Sequence, residues 1–109
     1  MNWRKLDSIT LLDEIEKSSF QKPSLIFKHS TRCSISSGAL NRLERNWNGN
    51  EALDIWYLDL IKYRDVSNAI AQKFLVEHQS PQVLIIKNGK CFYHASHFEI
   101  EYDEIMNHA

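Results

Sequence analysis

The chain has 109 residues, of which 43% are hydrophobic and 25% are charged. This is enough for one cooperative core and too little for two ordinary domains, so we expect a single domain over residues 1–109. Its 13 Lys and Arg residues nearly balance its 14 Asp and Glu residues, which leaves a net charge of -1. Such a balance provides no positive field to gather nucleic acid or anionic lipid, so neither is expected as a partner.

The first residues and the cysteine count bear on the compartment in which the protein works. Residues 1–7 lack the apolar core of a signal peptide, and no later run is long enough to cross a bilayer. We therefore expect a cytoplasmic protein without a membrane partner. Its two cysteines, Cys33 and Cys91, cannot form a disulfide framework. In a reducing compartment each is either a packed side chain or a reactive thiol.

A helix and a buried strand are predicted before Cys33. Asp7 or Ser8 can cap a short amphipathic helix whose apolar residues recur at helical spacing and which ends near residue 19. The nearly continuous apolar run 24–29 that follows is typical of a strand buried on both faces. This strand should lie centrally in a sheet.

A helix, a strand and another helix are predicted next. Apolar residues recur at intervals of three and four from Ile35 to the breaker at 46–50, which places Cys33 at the first turn of this helix. The β-branched and aromatic run 53–60 predicts a strand, and Asp65 is predicted to cap the helix after it.

The last third predicts a hairpin followed by a helix. Residues 82–86 and 90–94 flank Asn88-Gly89, a strong hairpin signal. The spacing from Ser96 to Glu99 matches a capping box that would begin a final helix. The complete order, α-β-α-β-α-β-β-α, predicts an α/β fold in which a four-stranded mixed sheet is flanked by four helices.

Cys33 is the candidate catalytic residue because of its place in this order. A cysteine between a strand and the first turn of a helix meets unpaired N–H groups and the positive end of the helix dipole, which favour thiolate over thiol. Arg32 is adjacent, and Lys28 and His29 end the preceding strand, although strand alternation cannot direct both of these side chains to one face. This position is an improbable one for a cysteine that serves only in packing.

Ser36 follows Cys33 by three residues, a spacing that puts both side chains on one face of the first helical turn. Its hydroxyl can donate a hydrogen bond to the thiolate. In a dithiol exchanger a second cysteine would occupy this position and resolve a mixed disulfide. The sequence therefore predicts a monothiol site that depends on an external thiol.

The run from Phe27 to Ser36, together with Ser80-Pro81-Gln82, resembles the YtxJ-like monothiol bacilliredoxins over nearly the whole chain. The resemblance implies a thioredoxin-like fold and removal of bacillithiol from S-bacillithiolated proteins. Cys33 would take the thiol and a second bacillithiol would release it. No bound cofactor is implied, with bacillithiol as cosubstrate and S-thiolated proteins as partners. The two cysteines, and five histidines without the spacing of a zinc site, do not predict a bound metal.

One position near the predicted nucleophile departs from the family motif, and another takes its role from the resemblance. The family motif has proline directly after the cysteine, whereas this chain has Ser34, which bears on loop rigidity and thiolate solvation. The resemblance also implies that Pro81 is cis and faces the cysteine, with the backbone of Ser80 binding an incoming disulfide-bearing chain. Without the resemblance, Pro81 would be interpreted as an ordinary strand-start proline. Arg32, Ser34, Ser80 and Pro81 are thus the candidate substrate-binding residues.

Two other functions stay open. Monothiol glutaredoxins with Cys-Gly-Phe-Ser share an iron–sulfur cluster between two subunits, but Ser34-Ile35 replaces Gly-Phe here. A non-enzymatic module whose cysteine senses oxidation while binding clients is the third interpretation. Cys91 is predicted to be a strand-packing residue about 20 Å from Cys33 by strand rise, too far to resolve a mixed disulfide.

Overall fold

The computed structural model describes residues 1–47 and 52–109, and it forms one mixed sheet with helices on both faces. Part of the predicted breaker at 46–50 lies outside these residues. The strands are β1 Arg4–Lys5, β2 Ser24–His29, β3 Asp54–Asp59, β4 Gln82–Lys87 and β5 Lys90–Ser96. The helices are α1 Thr10–Ser18, α2 Ser34–Asn46, α3 Arg64–Phe74 and α4 Tyr102–Asn107, with a 3₁₀ turn at His97–Glu99. None of the helices in the described part of the chain is long and apolar enough to span a membrane.

The strand order β1-β3-β2-β4-β5 puts β2 at the centre of the sheet. Strand β2 is parallel to β3 and antiparallel to β4, and β4 and β5 form the predicted antiparallel hairpin. All six residues of β2 are buried, as its continuous apolar run predicts. The chain continues toward Cys33 from the carboxyl end of β2. This end lies at the edge of the sheet where β2 and β3 end and β4 begins.

Two hydrophobic clusters cover the faces of the sheet. One contains Ile26 and Leu84 with the apolar residues of α1 and α3, among them Ile15 and Ile70. The other contains Phe27 with the inner residues of α2 and α4. Because neighbouring residues of a strand point to opposite faces, consecutive positions of β2 belong to different clusters. The same alternation separates the two polar residues that end this strand.

The prediction of four strands is wrong by one, since β1 adds a fifth at the edge. Strand β1 has only two residues, both exposed, which pair with Trp56 and Tyr57 of β3. A two-residue strand of Arg and Lys has no apolar alternation by which it could be recognised. It extends the sheet without changing its centre.

The predicted helix caps are also wrong. Helix α3 begins at Arg64 after Tyr63, so Asp65 lies inside its first turn. Ser96 ends β5, where it pairs with Gln82, and α4 begins only at Tyr102. Ser96 is also the N-cap residue of the 3₁₀ turn at His97–Glu99, but its side chain makes no capping hydrogen bond. For α1, the Ser8 hydroxyl accepts a hydrogen bond from the Thr10 N–H at 3.3 Å, while Ile9 occupies the N-cap position.

Candidate functional site

Cys33 occupies the N-cap position of α2, four residues after the end of β2. Its backbone is extended, with φ -113° and ψ 121°. The Cys33 N–H donates to the Ser30 carbonyl at 3.2 Å, and the Cys33 carbonyl accepts from the Ser37 N–H at 3.0 Å. The thiol is free and half-buried. These bonds hold Cys33 at the N-terminus of a 13-residue helix, the position that the sequence predicts.

Ser36 lies beneath Cys33 in the first turn of α2 and is fully buried. Its hydroxyl oxygen is 2.6 Å from Nδ1 of His29 and accepts a hydrogen bond from the Ser30 N–H at 3.0 Å. Among the described residues these are the partners of the Ser36 hydroxyl, so the predicted bond to the cysteine sulfur is not formed in this conformation. The hydroxyl instead joins the helix to the end of β2.

His29 lies on the same face of the sheet as α2 and is only 5% exposed. Its ring centroid is 5.5 Å from that of Tyr57 and 5.8 Å from that of Phe27. Burial lowers the pKa of His29, while the carboxylates of Asp59 and Glu44 act in the opposite direction. Burial, followed by the same two carboxylates, raises the pKa of Tyr57. The imidazole is therefore enclosed by aromatic rings, with its polar contact directed toward Ser36.

Lys28 points to the opposite face of the sheet and is completely buried. Its ammonium donates to the Ser67 carbonyl of α3 at 3.2 Å and contacts Nδ1 of His78 at 3.3 Å. Burial lowers the pKa of Lys28 to about 8. Of the two basic residues that end β2, His29 is thus the one on the side of α2.

Ser80 and Pro81 lie at the same edge of the sheet as Cys33. The Ser80–Pro81 peptide bond is cis, as the family resemblance implies. Gln82, the next residue, pairs with Lys28 near the end of β2. The Pro81 carbonyl accepts a hydrogen bond from the His97 N–H at 3.1 Å, which ties the proline to the 3₁₀ turn. Pro81 is buried, whereas Ser80 is half-buried.

The surface around Cys33 is open and of mixed character. Arg32 and Ser34, on either side of the cysteine, are exposed. Ile35 is 37% exposed, and Phe98, in the 3₁₀ turn that contacts α2, is 71% exposed. A guanidinium, hydroxyls and apolar side chains accessible at one edge of the sheet suit a site whose substrate is itself a protein.

Cys91 lies at the other end of the sheet. It pairs with Ile86, which pairs in turn with Ser24 at the beginning of β2. Cys91 packs against the cluster on the α1 and α3 face, and burial raises its thiol pKa to about 11. Its placement agrees with the predicted packing role, since Cys33 follows the opposite end of β2.

Sequence reasoning missed two sets of contacts, the one between His29 and Ser36 and the one formed by Lys28, Ser67 and His78. His29 and Ser36 were both noted, but strand alternation alone does not say which basic residue faces α2. Phe27 and His29 share a face, but the apolar run of β2 is continuous and does not indicate which face α2 covers. Ser67 and His78 also carry no sequence signal of their contacts.

The sheet, the cysteine at the helix start and the cis-proline at the same edge together define a thiol–disulfide redox protein of thioredoxin fold. The family model described as monothiol bacilliredoxin BrxC matches residues 4–105. The chain belongs to this family.

Solved structures show the same thioredoxin fold. A proposed oxidoreductase with a thioredoxin fold is 30% identical, with a TM-score of 0.78 over 94% of this chain and 89% of its own. Thioredoxin from Fasciola hepatica is 18% identical, with a TM-score of 0.75 over 97% and 99%. Thioredoxin NaTrxh from Nicotiana alata is 20% identical, with a TM-score of 0.69 over 94% and 85%. The two thioredoxins show likeness of fold alone.

Proposed function

We propose that this protein removes bacillithiol from S-bacillithiolated proteins by monothiol exchange at Cys33. The observation that carries the proposal is the position of Cys33 at the N-cap of α2, next to the cis-proline edge, in a chain of the bacilliredoxin family. The N-terminus of α2 provides N–H groups without intrahelical acceptors and a positive dipole end. Both favour the thiolate, which is the attacking species in disulfide exchange.

The reaction consists of two exchanges. In the first, the Cys33 thiolate attacks the bacillithiol sulfur of the modified client, forming a Cys33–bacillithiol disulfide while the client thiolate leaves and takes a proton from solvent. In the second, the thiolate of another bacillithiol attacks the bacillithiol sulfur of this adduct. Bacillithiol disulfide leaves and the Cys33 thiolate is regenerated. Bacillithiol therefore supplies the electrons and is a cosubstrate, not a bound cofactor.

The neighbours of Cys33 have separate roles in this proposal. The exposed Arg32 guanidinium attracts anionic groups on the incoming client or thiol. The backbone of Ser80, held by the cis bond to Pro81, receives the client segment that carries the disulfide. Ser34, exposed at the first position of α2, contributes to the surface that the client approaches. Ser36, at the place of a second cysteine, makes release by an external thiol necessary.

Turnover with a defined client tests the function. A single-cysteine protein is S-bacillithiolated, and its release is followed by intact mass with wild-type protein, Cys33→Ala and Cys91→Ala, in the presence of bacillithiol. We expect wild type and Cys91→Ala to release the client thiol at equal rates. Cys33→Ala should be no faster than the reaction without protein. The same client carrying glutathione, with glutathione as reductant, tests which thiol the protein uses.

Equal rates for wild type and Cys33→Ala would contradict the proposal and leave the oxidation-sensing, client-binding module as the better interpretation. Faster release from the glutathione adduct would contradict the thiol assignment alone. Visible absorption of the purified protein that disappears in Cys33→Ala would favour the iron–sulfur carrier instead.

A further inference from the structure

The hydroxyl of Ser36 is enclosed, and its single hydrogen can serve only one acceptor at a time. Ser36 is 0% exposed and its partner His29 is 5% exposed. The Ser30 N–H can only donate, so it occupies one acceptor position of the hydroxyl oxygen. The contact with Nδ1 of His29, at 2.6 Å, has a direction that depends on where the imidazole carries its proton.

The proton count at Nδ1 has two cases. If Nδ1 carries no proton, it is an acceptor, and Ser36 must donate its hydrogen to the ring. If Nδ1 is protonated, the hydroxyl oxygen accepts from both Nδ1 and the Ser30 N–H, and its hydrogen is free. Cys33, three residues before Ser36 at the N-cap, is the functional side chain on the same face of this turn. A thiolate at that position is a natural acceptor for the freed hydrogen.

We propose that His29 is a positioning residue that controls, through the proton at its Nδ1, whether the Ser36 hydroxyl donates to the Cys33 thiolate. The proposal rests on Cys33 being the exchanging thiol and adds the group that controls its stabilisation. When Cys33 is a thiol, Ser36 donates to the unprotonated Nδ1. When Cys33 ionises, Ser36 turns its hydrogen to the sulfur and Nδ1 takes a proton.

The proton balance of this change is closed. The thiol loses one proton and Nδ1 gains one, either through the Ser36 hydroxyl or by exchange with solvent, so the pair passes from thiol and neutral imidazole to thiolate and imidazolium. In the neutral alternative the ring moves its own proton from Nε2 to Nδ1, and the thiol proton goes to solvent. In both cases Nδ1 carries a proton of its own when the Ser36 hydroxyl donates its hydrogen bond to the thiolate.

The charges around His29 allow both states of the ring. Burial among Phe27 and Tyr57 favours the neutral ring and lowers the pKa of His29 overall, while Asp59, at the end of β3, and Glu44, on α2, act in the opposite direction. These opposing influences keep the proton at Nδ1 responsive to the charge of the nearby sulfur. A fully exposed histidine would not be coupled to Ser36, since water would replace the Ser36 hydroxyl as its hydrogen-bond partner.

Ser36 occupies the position where dithiol exchangers have a second cysteine, and it also has a role in the release step. In the release step Cys33 is the leaving group, and a hydrogen bond to the departing thiolate lowers the barrier to its expulsion. A monothiol protein has no internal thiol to drive that step. Ser36 and His29 would therefore assist the exchange that the external thiol performs.

The test follows Cys33 ionisation without any client protein. The rate of iodoacetamide alkylation at Cys33, read by intact mass between pH 4 and 10, gives the thiolate titration midpoint. We compare wild type, Ser36→Ala, His29→Phe and the double variant in a Cys91→Ala background. Phenylalanine keeps the ring contacts of His29 and cannot accept a hydrogen bond from Ser36. Ser37→Ala, which removes a neighbouring hydroxyl of α2, is the matched control.

We expect Ser36→Ala to raise the midpoint by about one to two pH units, the value of a hydrogen bond to a charged group. His29→Phe should lower it, because Ser36 then donates to sulfur without competition. The double variant should match Ser36→Ala, since His29 acts through Ser36, and Ser37→Ala should match wild type. An effect of His29→Phe that persists without Ser36, or a wild-type midpoint for Ser36→Ala, overturns the proposal.

A second measurement requires no substitution at position 29. The ¹⁵N shift of Nδ1 in His29 should report protonation as wild-type Cys33 ionises, and no such change should occur over the same pH range in Cys33→Ala. Identical Nδ1 titrations in both proteins would overturn the coupling. Because both readouts are independent of bacillithiol, failure of the client assay leaves them interpretable, and their failure leaves the client assay intact.

Discussion

Lys28 is a buried ammonium whose described partners are neutral groups. Its contacts are to the Ser67 carbonyl and Nδ1 of His78, and no carboxylate among the described residues forms an ion pair with it. Because His78 meets an ammonium at Nδ1, that nitrogen is an acceptor and the ring proton is on Nε2. Burial and the positive charges of Lys28 and Arg64 lower the pKa of His78, consistent with a neutral ring.

The buried charge makes stability depend on pH in a defined direction. The pKa of Lys28 falls from 10.5 to about 8 on folding. Between these values the unfolded chain holds a proton that the folded protein has released, so the free energy of unfolding rises with pH. The Lys28 contribution to this rise is about 3 kcal/mol in total, at 1.36 kcal/mol for each pKa unit.

Urea unfolding of wild type and Lys28→Met from pH 7 to 11 measures this contribution. Subtracting the two curves cancels the contributions of all other titratable groups. We expect wild type to gain stability relative to Lys28→Met between pH 8 and 10.5. Lys90→Met, which removes an exposed lysine, is the control for the loss of a lysine side chain. A constant difference between wild type and Lys28→Met would mean that Lys28 titrates equally in both states.

At the scale of elements, the N-terminus of α2 already has the geometry that proline requires. Ser34 is the first residue of α2, and Cys33 before it has φ -113° and ψ 121°, the region to which a following proline restricts a residue. Ser34→Pro, which restores the family pattern, should therefore stabilise the fold by about 0.4–1 kcal/mol through the unfolded chain.

Thermal unfolding should show this as a rise in Tm of about 2–6 °C. Ser37→Pro is the contrasting variant, because the Ser37 N–H donates to the Cys33 carbonyl at 3.0 Å and its loss should lower Tm. A decrease in Tm for Ser34→Pro would show that serine supplies a stabilising contact at this position.

The β4–β5 turn also depends on one residue. Asn88 and Gly89 have φ of 54° and 77°, as a two-residue type I′ hairpin requires. The Gly89 N–H donates to the Ser19 hydroxyl at 2.8 Å, and a Cβ at Gly89 would lie 2.9 Å from Cζ of Phe20.

Gly89→Ala should lower the free energy of unfolding by about 1–2 kcal/mol, since alanine disfavours positive φ. Chemical denaturation measures it, with Asn88→Gly as a control that keeps φ permitted. Repeating Gly89→Ala in Phe20→Ala separates the φ cost from the clash. A neutral Gly89→Ala in both backgrounds would argue against the type I′ turn.

How far the elements could be predicted depends on how local their signals are. The bounds of β2 and the Asn88-Gly89 turn were predicted because apolar periodicity and turn chemistry act over a few residues. A local capping preference did not place the caps at Asp65 and Ser96. Ser96 pairs with Gln82 of β4, which is a long-range contact, and α3 begins one residue before Asp65. Strand β1 exists only through pairing with β3.

At the scale of the whole molecule, sequence order was enough to place Cys33 but not its supporting contacts. A strand followed by a helix brings a cysteine to the sheet edge in any right-handed β-α-β unit. The contact between His29 and Ser36 depends instead on the rotation of α2 over the sheet, which packing of Ala39 and Leu43 against Phe27 determines. The topology also separates the two cysteines.

Because the two cysteines lie far apart, we expect no disulfide between them. Cys91 lies beside Ile86 and the start of β2, so six residues of strand, about 20 Å at 3.3 Å each, separate it from the end that leads to Cys33. A disulfide needs Cα atoms within about 7 Å. Oxidised monomer should therefore carry a thiol adduct on Cys33 and no internal bridge.

Non-reducing peptide mapping after treatment with bacillithiol disulfide measures this outcome. We expect one adduct per chain, at Cys33, which added bacillithiol removes. Cys91→Ala should form and lose the adduct at wild-type rates, since burial raises the Cys91 pKa to about 11 and leaves little thiolate at neutral pH. A Cys33–Cys91 peptide, or slower release in Cys91→Ala, would require the sheet to open and would make resolution internal.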